Sequence, residues 1–150
     1  MNVRNLLCLF LLPVMLLPAQ MKAQEEDHPV TNETDMTENK DQLVVLWTSG
    51  DREVALKMLF MYTYNAKKNG WWKDITLIVW GPSAKLLSED FELQEYMNRI
   101  MDSGVDVRAC KGCADEYGVS EKLEELGITV LYIGKEFTDY MKSGYQILTI

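Results

Sequence analysis

The chain has 150 residues, with 23 Asp and Glu against 15 Lys and Arg, a formal charge of −8, one histidine and three cysteines. Nucleic-acid affinity rests on a surplus of Lys and Arg, so this acidic balance argues against a nucleic-acid partner. A single histidine leaves little material for triad hydrolysis or a histidine-based metal site.

Residues 1–23 read as a secretory signal peptide: Arg4 supplies the positive start, Leu6 to Leu17 carries no charge, and Ala23 offers a small cleavage residue. The apolar run is shorter than the roughly 20 residues needed to span a bilayer and is broken by Pro13 and Pro18. Cys8 lies near the front of the run, whereas a lipid-accepting cysteine sits just behind it. The expected product is an exported protein of the bacterial periplasm with no stable membrane anchor. Residues 24–41 are rich in Glu, Asp, Thr and Asn, which reads as a flexible acidic leader. Its Asn32-Glu33-Thr34 triplet matches a glycosylation acceptor, which matters only in a eukaryotic secretory route.

Residues 42–150 have the size of one domain with one core. Leu43 to Trp47 is an apolar run that reads as a strand buried on both faces, and Thr48 to Asp51 ends it with Ser49 or Asp51 placed to cap a helix. Ala55, Met58, Leu59, Tyr62 and Ala66 recur at helical spacing until Asn69-Gly70. Ile75 to Trp80 is a second strand, and Gly81-Pro82-Ser83 turns into a helical region of one long or two short helices that closes near Ser103-Gly104. Val105 to Ala109 is a third strand leading into Cys110-Lys111-Gly112-Cys113. A helix from Ser120 to Gly127, a strand from Ile128 to Ile133, a short helix from Phe137 to Met141 and a last strand from Tyr145 to Ile150 complete the chain. This alternation predicts an α/β fold: a mostly parallel five-stranded sheet between two layers of helices, α/β/α, with right-handed crossovers.

In such sheets ligands collect beyond the carboxyl ends of the strands, where the loops 48–51, 81–84 and 109–113 converge. Only the last brings reactive side chains. Cys110 ends the third strand and Cys113 follows about one helical turn later, a separation at which two sulfurs can approach bonding distance. The first turn of a helix favours a thiolate and Arg108 and Lys111 add to it, while Asp115 and Glu116 oppose it. Two cysteines in an exported protein can also be a plain structural disulfide, although a bridge closing so short a loop constrains the unfolded chain little. Cys110, Cys113 and the leader residue His28 are too few for a zinc site, so neither metal nor cofactor is expected. Thr48 to Asp51 reads first as a capped turn, Trp71-Trp72 as a cover over the end of the core, and the methionines as packing residues.

Taken in order, Leu43-Val-Val-Leu-Trp-Thr-Ser-Gly-Asp51, Trp80-Gly-Pro-Ser-Ala84, Val107-Arg-Ala-Cys-Lys-Gly-Cys-Ala-Asp-Glu-Tyr-Gly118 and Leu126-Gly-Ile128 resemble the DsrE/DsrF-like family over essentially the whole domain. The resemblance implies a small sulfur-relay protein in which a cysteine after the third strand accepts sulfur as a persulfide and passes it on, within homotrimers, hexamers or similar assemblies. Matching the cysteine and the glycine eight residues later places the acceptor on Cys110, with Gly118 as that glycine. Cys113 falls where such relay subunits carry a small residue, and export is a second departure. The implied partners are sulfur donor and acceptor proteins or small thiols, with Cys113 as a resolving thiol. Two other functions stay open: a dithiol/disulfide oxidoreductase, and a non-catalytic module that binds a small ligand or another subunit.

Overall fold

The computed structural model describes residues 40–150, and the expected signal peptide and nearly all of the leader lie outside them. Five strands form one sheet: β1 Gln42–Trp47, β2 Asp74–Val79, β3 Asp106–Cys110, β4 Thr129–Leu131 and β5 Gln146–Thr149. Every pairing is parallel and the strand order is β4-β3-β2-β1-β5. The fold is thus a three-layer α/β/α arrangement whose sheet is wholly parallel.

Helix α1 follows β1 in three continuous pieces, Arg52–Val54, a π-helical stretch Ala55–Phe60, and Met61–Lys68. Asp51 caps it by accepting hydrogen bonds from the Glu53 and Val54 amides, so the 48–51 loop is the capped turn that its residues suggested. The region after β2 is two helices, α2 Pro82–Glu89 and α3 Phe91–Asp102. Asp90 separates them: its backbone is extended, and its carboxylate accepts from the Leu93 amide at 3.1 Å and so caps α3. Beyond β3 come α4 Lys111–Tyr117 and α5 Ser120–Glu125, with Gly118 in the left-handed conformation (φ 66°) that ends α4. Helix α6, Gly134–Lys142, precedes β5. β4 is shorter than the apolar run Ile128 to Ile133 implies. The Ile128 amide is spent on the Leu123 carbonyl at the end of α5, and Ile133 already accepts from Phe137 at the start of α6.

The order of strands decides the layers. From β1 to β4 each crossover steps the same way, so right-handed connections put α1 to α5 on one face, and the return to β5 carries α6 over the other. Strand residues divide accordingly. Leu43, Val45, Trp47, Leu77 and Val79 pack with α1 to α5, whereas Val44, Leu46, Ile78, Cys110 and Ile133 pack under Phe137 and Tyr140 of α6. Alternation along a strand thereby sends the side chain of Cys110 to the face that, among the described residues, one helix covers instead of five.

Candidate functional site

Strand β3 delivers Cys110 as its last residue, with extended backbone (φ −69°, ψ 110°), and α4 begins at the next position. Cys113 then lies in the first turn of α4. The two cysteines approach to 3.5 Å. Both are unbridged thiols, Cys110 buried and Cys113 half-buried. The expected pair is therefore brought together at the carboxyl edge of the sheet, and little movement separates it from a disulfide, whose sulfurs sit about 2.05 Å apart.

A second loop reaches the pair. After β2 the chain turns through Gly81, which adopts φ 73° and ψ −137°, a region that only glycine occupies without strain. The Gly81 backbone forms a hydrogen bond to Cys113. Ser83 fixes this turn. Its fully buried hydroxyl donates to the Trp47 carbonyl at 2.7 Å and accepts from the Trp80 amide at 3.0 Å, clamping the ends of β1 and β2. The 48–51 loop packs on the far side of the same turn, so closely that a Cβ on Gly50 would come within 3.2 Å of Pro82 Cβ. The 81–84 loop is one of the three expected to converge beyond the strand ends, and Gly-Pro marks its turn, but the sequence assigns neither Gly81 nor Ser83 a part in the thiol's surroundings.

Burial pushes the Cys113 thiol above its usual range, and the hydrogen bond with Cys110 adds to this by favouring the protonated form. The Gly81 backbone pulls the other way, and the negative charge of Glu116 reinforces the rise. The two neighbouring cations do less for a thiolate than their positions in the sequence suggest. Lys111 is paired with Asp115, its Nζ 2.8 Å from Oδ1. Asp115 accepts from Ser120 as well, and these contacts hold its carboxyl below the usual range. Arg108, two residues before Cys110 on the same strand, is held by Asp106 (Nη2 to Oδ2 2.6 Å) and by Glu136 of α6. Tyr140 Oη donates to the same Glu136 carboxylate at 2.7 Å. Glu136 lies 28 residues from Arg108, a separation with no local sequence signature. Apolar groups complete the surroundings: Leu131, Trp80 and Phe137 pack on the cluster that includes Cys110, and the last two rings meet edge to face at 5.6 Å. Among the described residues, no group of three or more His, Cys, Asp or Glu is placed to hold a metal ion.

The DsrE/DsrF-like family matches residues 41–150 of the chain. The chain belongs to the DsrE/DsrF-like family. Among solved structures, this DsrE/DsrF-like chain is similar to BT1422 of Bacteroides thetaiotaomicron, described as a conserved protein of unknown function. Their sequences are 41% identical, with a TM-score of 0.72 over 73% of this chain and 95% of that one. It also resembles the ychN protein of E. coli, with 16% identity and a TM-score of 0.57 over 73% of this chain and 98% of the other, a likeness of fold. No curated protein matches the chain. The family is linked to sulfur relay, which gives the reactive pair of this DsrE/DsrF-like domain a chemical context.

Proposed function

We propose that the protein handles sulfane sulfur on Cys110 in the bacterial periplasm, with Cys113 as the resolving thiol. The observation that carries this reading is the 3.5 Å approach of the two cysteines at the carboxyl edge of the sheet. In the loading step the Cys110 thiolate attacks the outer sulfur of a hydropersulfide, R–S–SH. Cys110–S–SH forms and R–S⁻ leaves. In the second step the Cys113 thiolate attacks the Cys110 sulfur, the Cys110–Cys113 disulfide forms, and hydrosulfide departs with the electron pair of the broken S–S bond. The dithiol is oxidised by two electrons and the sulfane sulfur reduced by two. An external thiol must then restore the pair by exchange. Where an acceptor thiolate attacks the outer sulfur first, the same intermediate passes its sulfur on instead.

Intact-protein mass spectrometry of the purified chain, before and after polysulfide, tests the proposal. Gains of whole sulfur atoms that reductant removes and that disappear in Cys110→Ala support it. Normal sulfur uptake by Cys110→Ala overturns it. The same short approach also favours a second reading, a dithiol/disulfide oxidoreductase that passes electrons and no sulfur. That reading predicts loss of two hydrogens with no sulfur gain, and a reduction potential well above that of an inert structural bridge.

A further inference from the structure

The two sulfurs of the pair differ in what can reach them. Cys110 is only 8% exposed, packed among Leu46, Ile78 and Ile133 and under Phe137 of α6. Cys113, in the first turn of α4, is half-buried and follows Gly112. Gly112 has none of the reasons that fix the other glycines of the site. Gly81 and Gly118 hold positive φ and Gly50 lies against Pro82, but Gly112 is helical without positive φ, and a Cβ on it would meet nothing within 4 Å. Glycine is a poor helix former, so its place in α4 leaves the helix less stable than alanine would. What it provides is open space next to Cys113.

We infer that the external thiol which reopens the Cys110–Cys113 disulfide enters across Gly112 and attacks Cys113, not Cys110. The inference rests on the disulfide in which the proposed cycle ends. R–S⁻ bonds to the Cys113 sulfur, the Cys110–Cys113 bond breaks, and Cys110 keeps its electron pair as a thiolate. A second R–S⁻ attacks the sulfur of R in the mixed disulfide, R–S–S–R forms, and Cys113 leaves as a thiolate. The two external thiols lose two electrons between them and the protein pair gains two. Attack at Cys110 would instead press R against the apolar cluster around that residue. It would also expel Cys113, which its surroundings make a poorer leaving group than an ordinary cysteine. Loading meets no such obstacle. Cys110 attacks the outer sulfur of R–S–SH, so R stays farther out by one S–S bond, about 2.05 Å. Cys110 thus takes the sulfur atom, and Cys113 meets the thiols. The partner is a monothiol whose substituent lies in the space that a side chain on residue 112 would fill.

Diamide bridges a dithiol without supplying sulfane sulfur, so it prepares the oxidised chain for the test, and glutathione is the probe. The oxidised protein is mixed briefly with glutathione, quenched in acid and capped with N-ethylmaleimide. Trypsin then cuts after Lys111 and places the two cysteines on separate peptides for mass spectrometry. Glutathione should be found on the Cys113 peptide about tenfold or more over the Cys110 peptide. Gly112→Leu fills open space and replaces a poor helix former with a good one, so its circular dichroism should match that of the parent. It should slow exchange with glutathione about tenfold, and with the smaller mercaptoethanol about twofold or less. An equal or greater share of glutathione on Cys110 overturns the inference. So does exchange that Gly112→Leu leaves unchanged, or slows equally for both thiols. A pair that diamide cannot bridge overturns it together with the cycle on which it rests. Glutathione on Cys113 in a chain that takes up no sulfane sulfur supports the inference and strikes the sulfur-handling reading alone.

Discussion

The resolving step should be steeply pH-dependent, because it needs the thiolate of a cysteine whose surroundings favour the thiol. An ordinary cysteine, with a pKa of about 8.5, is about 3% thiolate at pH 7. Cys113 lies above its ordinary range, chiefly through burial and then through its hydrogen bond with Cys110, so its thiolate fraction at pH 7 is smaller still. Far below a pKa the reactive fraction rises tenfold per pH unit. The release of hydrosulfide from protein loaded at Cys110 should therefore speed up about tenfold between pH 6.5 and 7.5 and again by nearly as much up to pH 8.5, without levelling off. Stopped-flow loading, followed by trapping of free hydrosulfide with a fluorogenic reagent, gives this rate directly. Cys113→Ser should abolish the phase and leave the persulfide on Cys110 long enough to be weighed. A plateau below pH 8 would show that Cys113 ionises readily and would refute the electrostatic reasoning. Release that survives in Cys113→Ser would remove Cys113 from the step altogether.

Three further outcomes follow from the scaffold. Asp90→Ala removes the α3 cap and one partner of Arg52, and should cost about 1 kcal/mol in a urea melt at pH 7; most of this is the cap, since the Arg52 side chain is itself exposed to solvent and keeps Glu92 as a partner. The Asp90 carboxyl is held below its usual range, first by the Leu93 amide, so its contribution is present above the unfolded carboxyl pKa near 4 and is lost as the pH falls through the lower folded value. The wild-type and Asp90→Ala melts should accordingly converge in strong acid. Ser83→Ala should cost about 1 kcal/mol and not the larger penalty of an orphaned group, because the Trp80 amide and Trp47 carbonyl still bond to each other at 2.9 Å. Among the described residues, Trp47 Nε1 and Thr63 Oγ1 are the buried side-chain atoms with no hydrogen-bond partner, so Thr63→Val, which keeps the shape and deletes the hydroxyl, should raise stability by about 1 kcal/mol in the same assay.

Apolar runs such as Leu43 to Trp47 and Ile75 to Val79 are legible as buried parallel strands because both of their faces are covered, by α1 to α5 on one side and α6 on the other. Cys110 and Cys113 were legible for a related reason: a strand end followed within a turn by a second thiol fixes their separation locally. The length of β4 was not, since Ile128 and Ile133 are as apolar as a strand requires and are claimed by the ends of α5 and α6 instead. Nor was the π-helical stretch of α1, whose residues keep ordinary helical spacing. The electrostatics of the site escaped for a different reason. Arg108 and Lys111 count as two cations in the sequence, but one is held by Glu136 across 28 residues and the other by Asp115.

That pairing bears on what a second thiol accomplishes here. A carrier that must hold a persulfide until an acceptor arrives is served by a cysteine with no nucleophile beside it; a thiol 3.5 Å away, attacking the inner sulfur, competes for the same persulfide with every acceptor that attacks the outer one. The competition is governed by the ionisation of Cys113. Burial, the contact with Cys110 and the charge of Glu116 all slow the internal attack, while the Gly81 backbone opposes them. With Lys111 and Arg108 committed to carboxylates, the cations flanking the pair in the sequence are not free to reverse that balance. At neutral pH the loaded state should thus outlive the first collision with a good acceptor and still discharge itself as hydrosulfide when none comes. Measuring the yield of transferred sulfur against free hydrosulfide, over a series of acceptor concentrations, separates the two fates. Glu116→Gln should move the division toward hydrosulfide by easing the ionisation of Cys113, and Cys113→Ser should move it wholly to transfer. A yield that ignores both changes would mean that the internal thiol takes no part in the fate of the sulfur.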